Sequence, residues 1–272
     1  MQQNIDSPVA IQEMTQEAAR LARRTVVIRK LQKDDIFNSL VAGWNDLKRA
    51  PTYGLTIGAL HAFGGWLAIF FAQLSGMHYF TYPFLTGLAL VAPFMAAALY
   101  EVSRRLESGE PLSWGAILGS VKRSGGRDLG WMALVSLFAF ILWVDYAFFL
   151  YLMFYGAHMP DPAEFLREAI STEKGLVFIA VGNLVGGLIA FTIFAITVVS
   201  CPLLLDRDVD FVTAMISSVR AVKANPWQMF AWALAIALFL AFGLLSGLLG
   251  LIVVLPLLGH ASWHVYRKLV EP

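Results

Sequence analysis

A handful of side chains that could do chemistry stand inside apolar stretches of this chain. Asp145 lies in LWVDYAF and Asn183 in VGNLVGG. A carboxylate in such surroundings can relay protons, or it can accept a hydrogen bond from an amide such as Asn183 on a neighbouring helix. His61 and His260 each sit some way into an apolar stretch, and His264 follows His260 by one helical turn in GHASWHVYR. Two imidazoles at similar depth could ligate a haem iron axially. Equally, each could make one hydrogen bond between helices. The segment HASWH lacks the Glu that follows the first His in the zinc-hydrolase helix motif, so no metal site is read there. GSVKRSGGR at 119–127 lacks the Gly-Lys-Ser/Thr ending of a phosphate loop. Residue types and spacing give no catalytic constellation, no resident cofactor and no nucleic-acid module.

Composition says what must position these residues. Apolar residues make up 58% of the chain and charged residues 14%, against about 45–50% and about 25% in soluble domains. A water-soluble fold would need more polar surface than this chain owns. Six stretches reach the ~20 residues that a hydrocarbon core demands: 52–74, 82–102, 129–155, 175–205, 227–245 and 248–266. The expected fold is an all-α polytopic membrane protein with the lipid bilayer as partner. If the stretches alternate in direction, only Arg167 and Lys174 of the 20 Lys and Arg fall on one side. Positive charge stays cytoplasmic on insertion. Both termini are therefore expected in the cytoplasm, with residues 1–33 as a polar tail and 34–272 as a single membrane domain. The single cysteine, Cys201, can form no internal disulfide.

A threefold plan runs through the membrane domain. DIFNSLVAGWNDLKRAP at 35–51 and DFVTAMISSVRAVKANP at 210–226 have the same length, open on Asp and close on Pro. A looser copy, LSWGAILGSVKRSGGRD, occupies 112–128. Repeat units of about 34–106, 112–205 and 210–268 follow, each an amphipathic interfacial helix and then a transmembrane hairpin. Ile36, Leu40, Trp44 and Leu47 mark the apolar stripe of the first copy, with Phe37 and Val41 beside them. Phe211, Met215, Val219 and Val222 mark the last. Asp34 or Asp35 is the expected N-cap. Glycine pairs Gly54/Gly58, Gly182/Gly186 and Gly243/Gly247 predict close helix packing. Pro93, Pro202 and Pro256 predict kinks at corresponding places, and broken helices in matched repeats can mark a transport site. Asp161–Pro162 predicts the start of a short helix in the one long outer loop.

WNDLKRAPTYGL, LYEVSRRLESG, SCPLLLDRDVDFVTAMISSVRAVKANP and GLIVVLPLLGHASWHVYRKL resemble bacterial integral membrane proteins of the family called domain of unknown function 2189. The resemblance runs from about Arg29 to Val270. It implies a multi-pass protein of the bacterial inner (cytoplasmic) membrane and carries over no functional residues. Some members bear a cytochrome c oxidase label. This chain has no His array for a haem–copper core, so that label would imply only an accessory or assembly role beside a respiratory complex. The expected function is a non-enzymatic scaffold, accessory or assembly role. The alternatives are a small-solute or proton-coupled transporter and a haem-binding redox subunit through His61 and His260.

Overall fold

The computed structural model describes residues 26–76, 81–125, 128–157 and 161–271. Most of the expected tail, and the Gly126 end of the middle copy, lie outside them. Helices account for the regular structure, apart from one isolated antiparallel bridge, Ile28 to Val270. In chain order they are α1 (Asp35–Arg49), α2 (Pro51–Leu74), α3 (Thr81–Ser108), α4 (Trp114–Gly125), α5 (Asp128–Tyr155), α6 (Pro162–Ser171), α7 (Glu173–Thr197), α8 (Ser200–Asp206), α9 (Phe211–Ala224), α10 (Pro226–Leu245) and α11 (Leu251–Leu269).

Four candidate membrane spans are long and apolar enough to cross a bilayer: α2, α5, the run Glu173–Asp206 that joins α7 to α8, and α10. The expected spans 82–102 and 248–266 are not among them. The first includes residues 86–95, whose side chains lie outside the description. The second corresponds to α11, whose last turns carry His260, His264, Arg267 and Lys268 and lower its apolar average.

Burial explains the difference between α11 and its neighbours. Leu258, Gly259, His260, Ala261, Trp263, Val265, Tyr266 and Leu269 are all buried in α11, which packs most extensively against α1, α2 and α3. Three of the four spans bury little: of their most apolar 18 residues, 28% in α2, 22% in α5 and 17% in α10 lie inside the protein, against 56% in the run Glu173–Asp206. Their large residues, among them Phe63, Phe70, Phe138 and Phe149, face outward. Lipid supplies no hydrophobic drive between helices, so contacts fall to small residues that let backbones approach. A β-carbon on Gly43 of α1 would meet the Ala261 backbone nitrogen at 2.5 Å, and one on Gly58 of α2 would collide with the Ile252 carbonyl. Gly182 and Gly186 likewise face Leu150 and Trp143 across the α5–α7 seam. Gly243 packs on Leu251, whereas Gly247 lies in the turn between α10 and α11 with φ +68°.

The expected stripes are redistributed. In α1 the buried residues are Ser39, Gly43, Asp46 and Leu47, while Phe37, Val41 and Trp44 are exposed. In α9 the buried residues are Ala214, Ser217, Ser218, Ala221 and Val222, while Val212 and Ile216 are exposed. Neither Asp34 nor Asp35 caps α1: Asp34 makes no cap bond, and Asp35 accepts from Gln32 N at 2.7 Å instead. Asp161 and Asp210 do cap α6 and α9, accepting from Ala163 N and Thr213 N at 2.9 Å.

Candidate functional site

Polar side chains gather at one end of the bundle, around the last turns of α11. His260 and His264 are one turn apart and share a face. The His260 Nδ1 lies 2.8 Å from the Ser103 hydroxyl on α3. The His264 Nε2 lies 2.8 Å from Asp46 Oδ2 on α1. Asp46 also accepts from Ser103. His264, Asp46, Ser103 and His260 thus form one hydrogen-bonded chain across three helices. Gly43 makes it possible, because α1 must lie almost on the α11 backbone for Asp46 to reach. Burial pushes the Asp46 carboxyl up, but hydrogen bonds from His264 and Ser103 outweigh it and hold the pKa below its ordinary value. The group is ionised at neutral pH.

The next turn of α11 continues the pattern. Tyr266 donates to Asp206 of α8 at 2.6 Å, and Trp263 donates to Glu107 of α3 at 3.1 Å. Arg267 bonds Glu107 at 3.1 Å and approaches Asp206 at 3.6 Å. Lys268 donates to Asp35 of α1 at 2.6 Å. Burial pushes Asp35 up, and the Lys268 hydrogen bond and charge outweigh it to lower its pKa. Beside this cluster, buried Glu101 accepts from Arg105 at 2.6 Å and from the Nε and Nη2 of Arg104 at 2.8 and 2.9 Å. The chain ends join here too. Arg29 N donates to Leu269 O at 2.8 Å, and buried Asn225 accepts from Leu31 N at 2.8 Å while donating to Arg29 O at 3.0 Å.

The histidines singled out from the sequence divide. His260 and His264 belong to this cluster. His61 does not. Gly54 faces His260 and Gly58 faces Ile252 in the antiparallel α2–α11 contact. His61 therefore lies about 10–16 Å further along the bundle than His260, at 1.5 Å per residue. A single iron needs both axial ligands at one level, so this pair does not form a haem site. The Nε2 of His260 has no partner among the described residues and faces Gly54, where a β-carbon would lie 3.6 Å away. No group of three or more His, Cys, Asp or Glu able to hold a metal occurs among the described residues.

Asp145 and Asn183 sit elsewhere. The Trp143 indole, two residues from Asp145, donates to the Pro83 carbonyl at 3.0 Å, near the start of α3. Asp145 lies within the apolar helix α5, ten residues before its end at Tyr155. It is exposed and takes no hydrogen bond among the described residues. Asn183 donates to Ile179 O of its own helix at 2.9 Å, and no bond joins it to Asp145.

The matched prolines behave differently from one another. Pro256 is buried within an unbroken α11. Pro93 lies inside α3, its side chain outside the description. Pro202 follows a real break, the turn at Val198–Val199 between α7 and α8. Backbone groups freed there are taken by Ser218 of α9, which accepts from Val199 N at 3.1 Å and donates to Ala195 O at 2.7 Å. The partners Asp46, Ser103, Glu107 and Asp206 escaped the sequence reading. One signal was present: Asp46 falls on the same α1 face as Ser39 and Gly43, the small-residue face.

Residues 81–206, from α3 through α8, match the family model described as predicted integral membrane protein, domain of unknown function 2189. Neither the curated proteins nor the solved structures gave a match.

Proposed function

We propose, on the premise that this chain carries the segment of a predicted integral membrane protein family, that it is a non-enzymatic scaffold or assembly factor. The observation that carries the reading is how the α11 cluster uses its reactive groups. Asp46, Glu101, Glu107 and Asp206 each bond a side chain on α3 or α11. Such closure builds a stiff hub, and it leaves the broad apolar flanks of α2, α5 and α10 as the surfaces on offer.

The finer architecture belongs to the same proposal. Six crossings in three repeats, with both ends cytoplasmic, would put α1, α4 and α9 on the inner face of a bacterial inner membrane. Support comes from burial: Gly43, Ser120 and Ser218, at corresponding positions of the three copies, are all buried. Each packs on the second helix of a hairpin, Gly43 on Ala261, Ser120 on Glu101 and Ser218 on Ala195. Pairing of Ile28 with Val270 supports ends on one side.

The test is purification from native membranes in a mild detergent, with mass measured under native conditions. A defined complex with a second membrane protein, at fixed stoichiometry, is expected. An uncomplexed chain across several mild detergents, with solute flux in reconstituted vesicles, would replace the scaffold reading with a transporter.

A further inference from the structure

We infer that α1, α4 and α9 form a collar that binds the headgroups of anionic phospholipids, a property independent of any protein partner. Each of these helices exposes apolar side chains in a line that ends on a cation. In α1 the line is Phe37, Val41 and Trp44, 67%, 43% and 45% exposed, followed one turn later by exposed Lys48. In α4 it is Trp114 and Leu118, then exposed Lys122. In α9 it is Val212 and Ile216, then exposed Arg220. The alignment of the copies pairs Phe37 with Trp114 and Val212, and Val41 with Leu118 and Ile216.

A helix that faces water alone would not repeat large apolar residues along its open side. One that lies at the acyl boundary would, with its basic side chain reaching up to the headgroups. Two more indoles border the collar: Trp131, 48% exposed and stacked on Phe211 at 5.9 Å, and Trp227, 82% exposed. Indoles favour this depth.

Charge complementarity identifies the occupant. Cations that point into the bundle are neutralised: Arg104 and Arg105 by Glu101, Arg267 by Glu107, Lys268 by Asp35. Lys48, Lys122 and Arg220 have no carboxylate partner among the described residues. Bare cations beside apolar side chains fit a phosphodiester headgroup with its acyl chains, which a zwitterionic lipid matches less well.

The full chain is reconstituted in nanodiscs, and spin-labelled phosphatidylglycerol is compared with spin-labelled phosphatidylcholine. The anionic lipid should associate about fivefold more strongly, the worth of one surface cation. K48Q/K122Q/R220Q should bring the ratio to about one. Equal association with the wild type overturns the proposal. So does a preference that survives in the folded triple variant, which would leave these cations only the helix C-termini to serve. If the variant does not reconstitute, the wild-type ratio across salt decides. A ratio that fades between about 0.05 and about 0.5 M salt supports the collar, because screening shortens the reach of surface charge. A ratio indifferent to salt overturns it.

Discussion

The last turns of α11 and the C-terminal half of α5 are both helical, and they treat polar groups in opposite ways. Around α11, Asp46, Ser103, His260 and His264 are bonded to one another across three helices. On α5, Asp145 stands exposed among Ile141, Leu142, Phe148 and Phe149 with no bond among the described residues. Burial accounts for the contrast. A polar group enclosed by helices must find its partner in protein. One left on an open helix face makes no such demand on its neighbours. An acidic residue in an apolar sequence therefore carries no fixed meaning until its neighbours are known.

The largest effect should come from the backbone contacts that bring the cluster together. Gly43→Val places methyls where the α11 backbone already is, at 2.5 Å from the Ala261 nitrogen for the β-carbon alone. Backbone cannot step aside as a flexible side chain does. The cost is about 3 kcal/mol or more, enough to lose most folded protein, as read by yield and by midpoint in a detergent-denaturation titration. Gly187→Val on α7, where a β-carbon would meet nothing within 4 Å, is the matched control and should behave as wild type. Equal loss from both would show that the α1–α11 contact is not special.

Next comes the buried acid. Asp46→Ala leaves His264 and Ser103 facing an empty site, and about 3 kcal/mol of stability should go. Asp46→Asn keeps the shape and should lose less. The pH dependence has a definite sign. The folded pKa of Asp46 lies below its ordinary value, so its contribution is complete above about pH 4 and disappears as pH falls through the lower folded value. The stability gap between wild type and Asp46→Asn should thus be flat from about pH 7 to about pH 5 and close below about pH 4. A gap that closes nearer neutrality would assign the effect to a different group.

Ser218→Ala probes the helix break. It removes the acceptor of Val199 N and a donor to Ala195 O, at about 1–3 kcal/mol. Hydrogen exchange should quicken at Val199 and little elsewhere. Uniform quickening would mean that the break is held by packing alone.

How much of this was legible depended on what each signal reports. Long apolar runs announced α2, α5, α7–α8 and α10, because crossing lipid demands length and apolarity directly. Asp161 announced the start of α6, because capping is local, whereas the cap expected at Asp34 or Asp35 was lost as the Asp35 carboxylate took Gln32 N instead. The stripes of α1 and α9 were legible only in part. The sequence marked the large apolar residues but not the small-residue face that packs: the bundle took Ser39, Gly43, Ala214 and Ser218, and Phe37 and Val212 were left outside. That sorting follows from lipid being as apolar as leucine, so size rather than hydropathy decides which face packs. His260 was paired with His61 because sequence gives position along a helix and not register between helices. Its true neighbour, Ser103, is 157 residues away in the chain.

Asp145→Leu should have the smallest effect, and it sharpens the contrast most. If Asp145 were a buried relay or a hub tie, its loss would resemble that of Asp46. The structure gives it exposure and no bonded partner among the described residues. Removing a charge from such a place leaves nothing unpaired, so stability should change by no more than about 0.5 kcal/mol. The same substitution at Asp46 would cost several times that, although both residues are helical aspartates. A loss above about 2 kcal/mol at Asp145 would mean that another helix covers this face in the working protein. The C-terminal half of α5 would then have a partner, and the two regions would no longer be opposites.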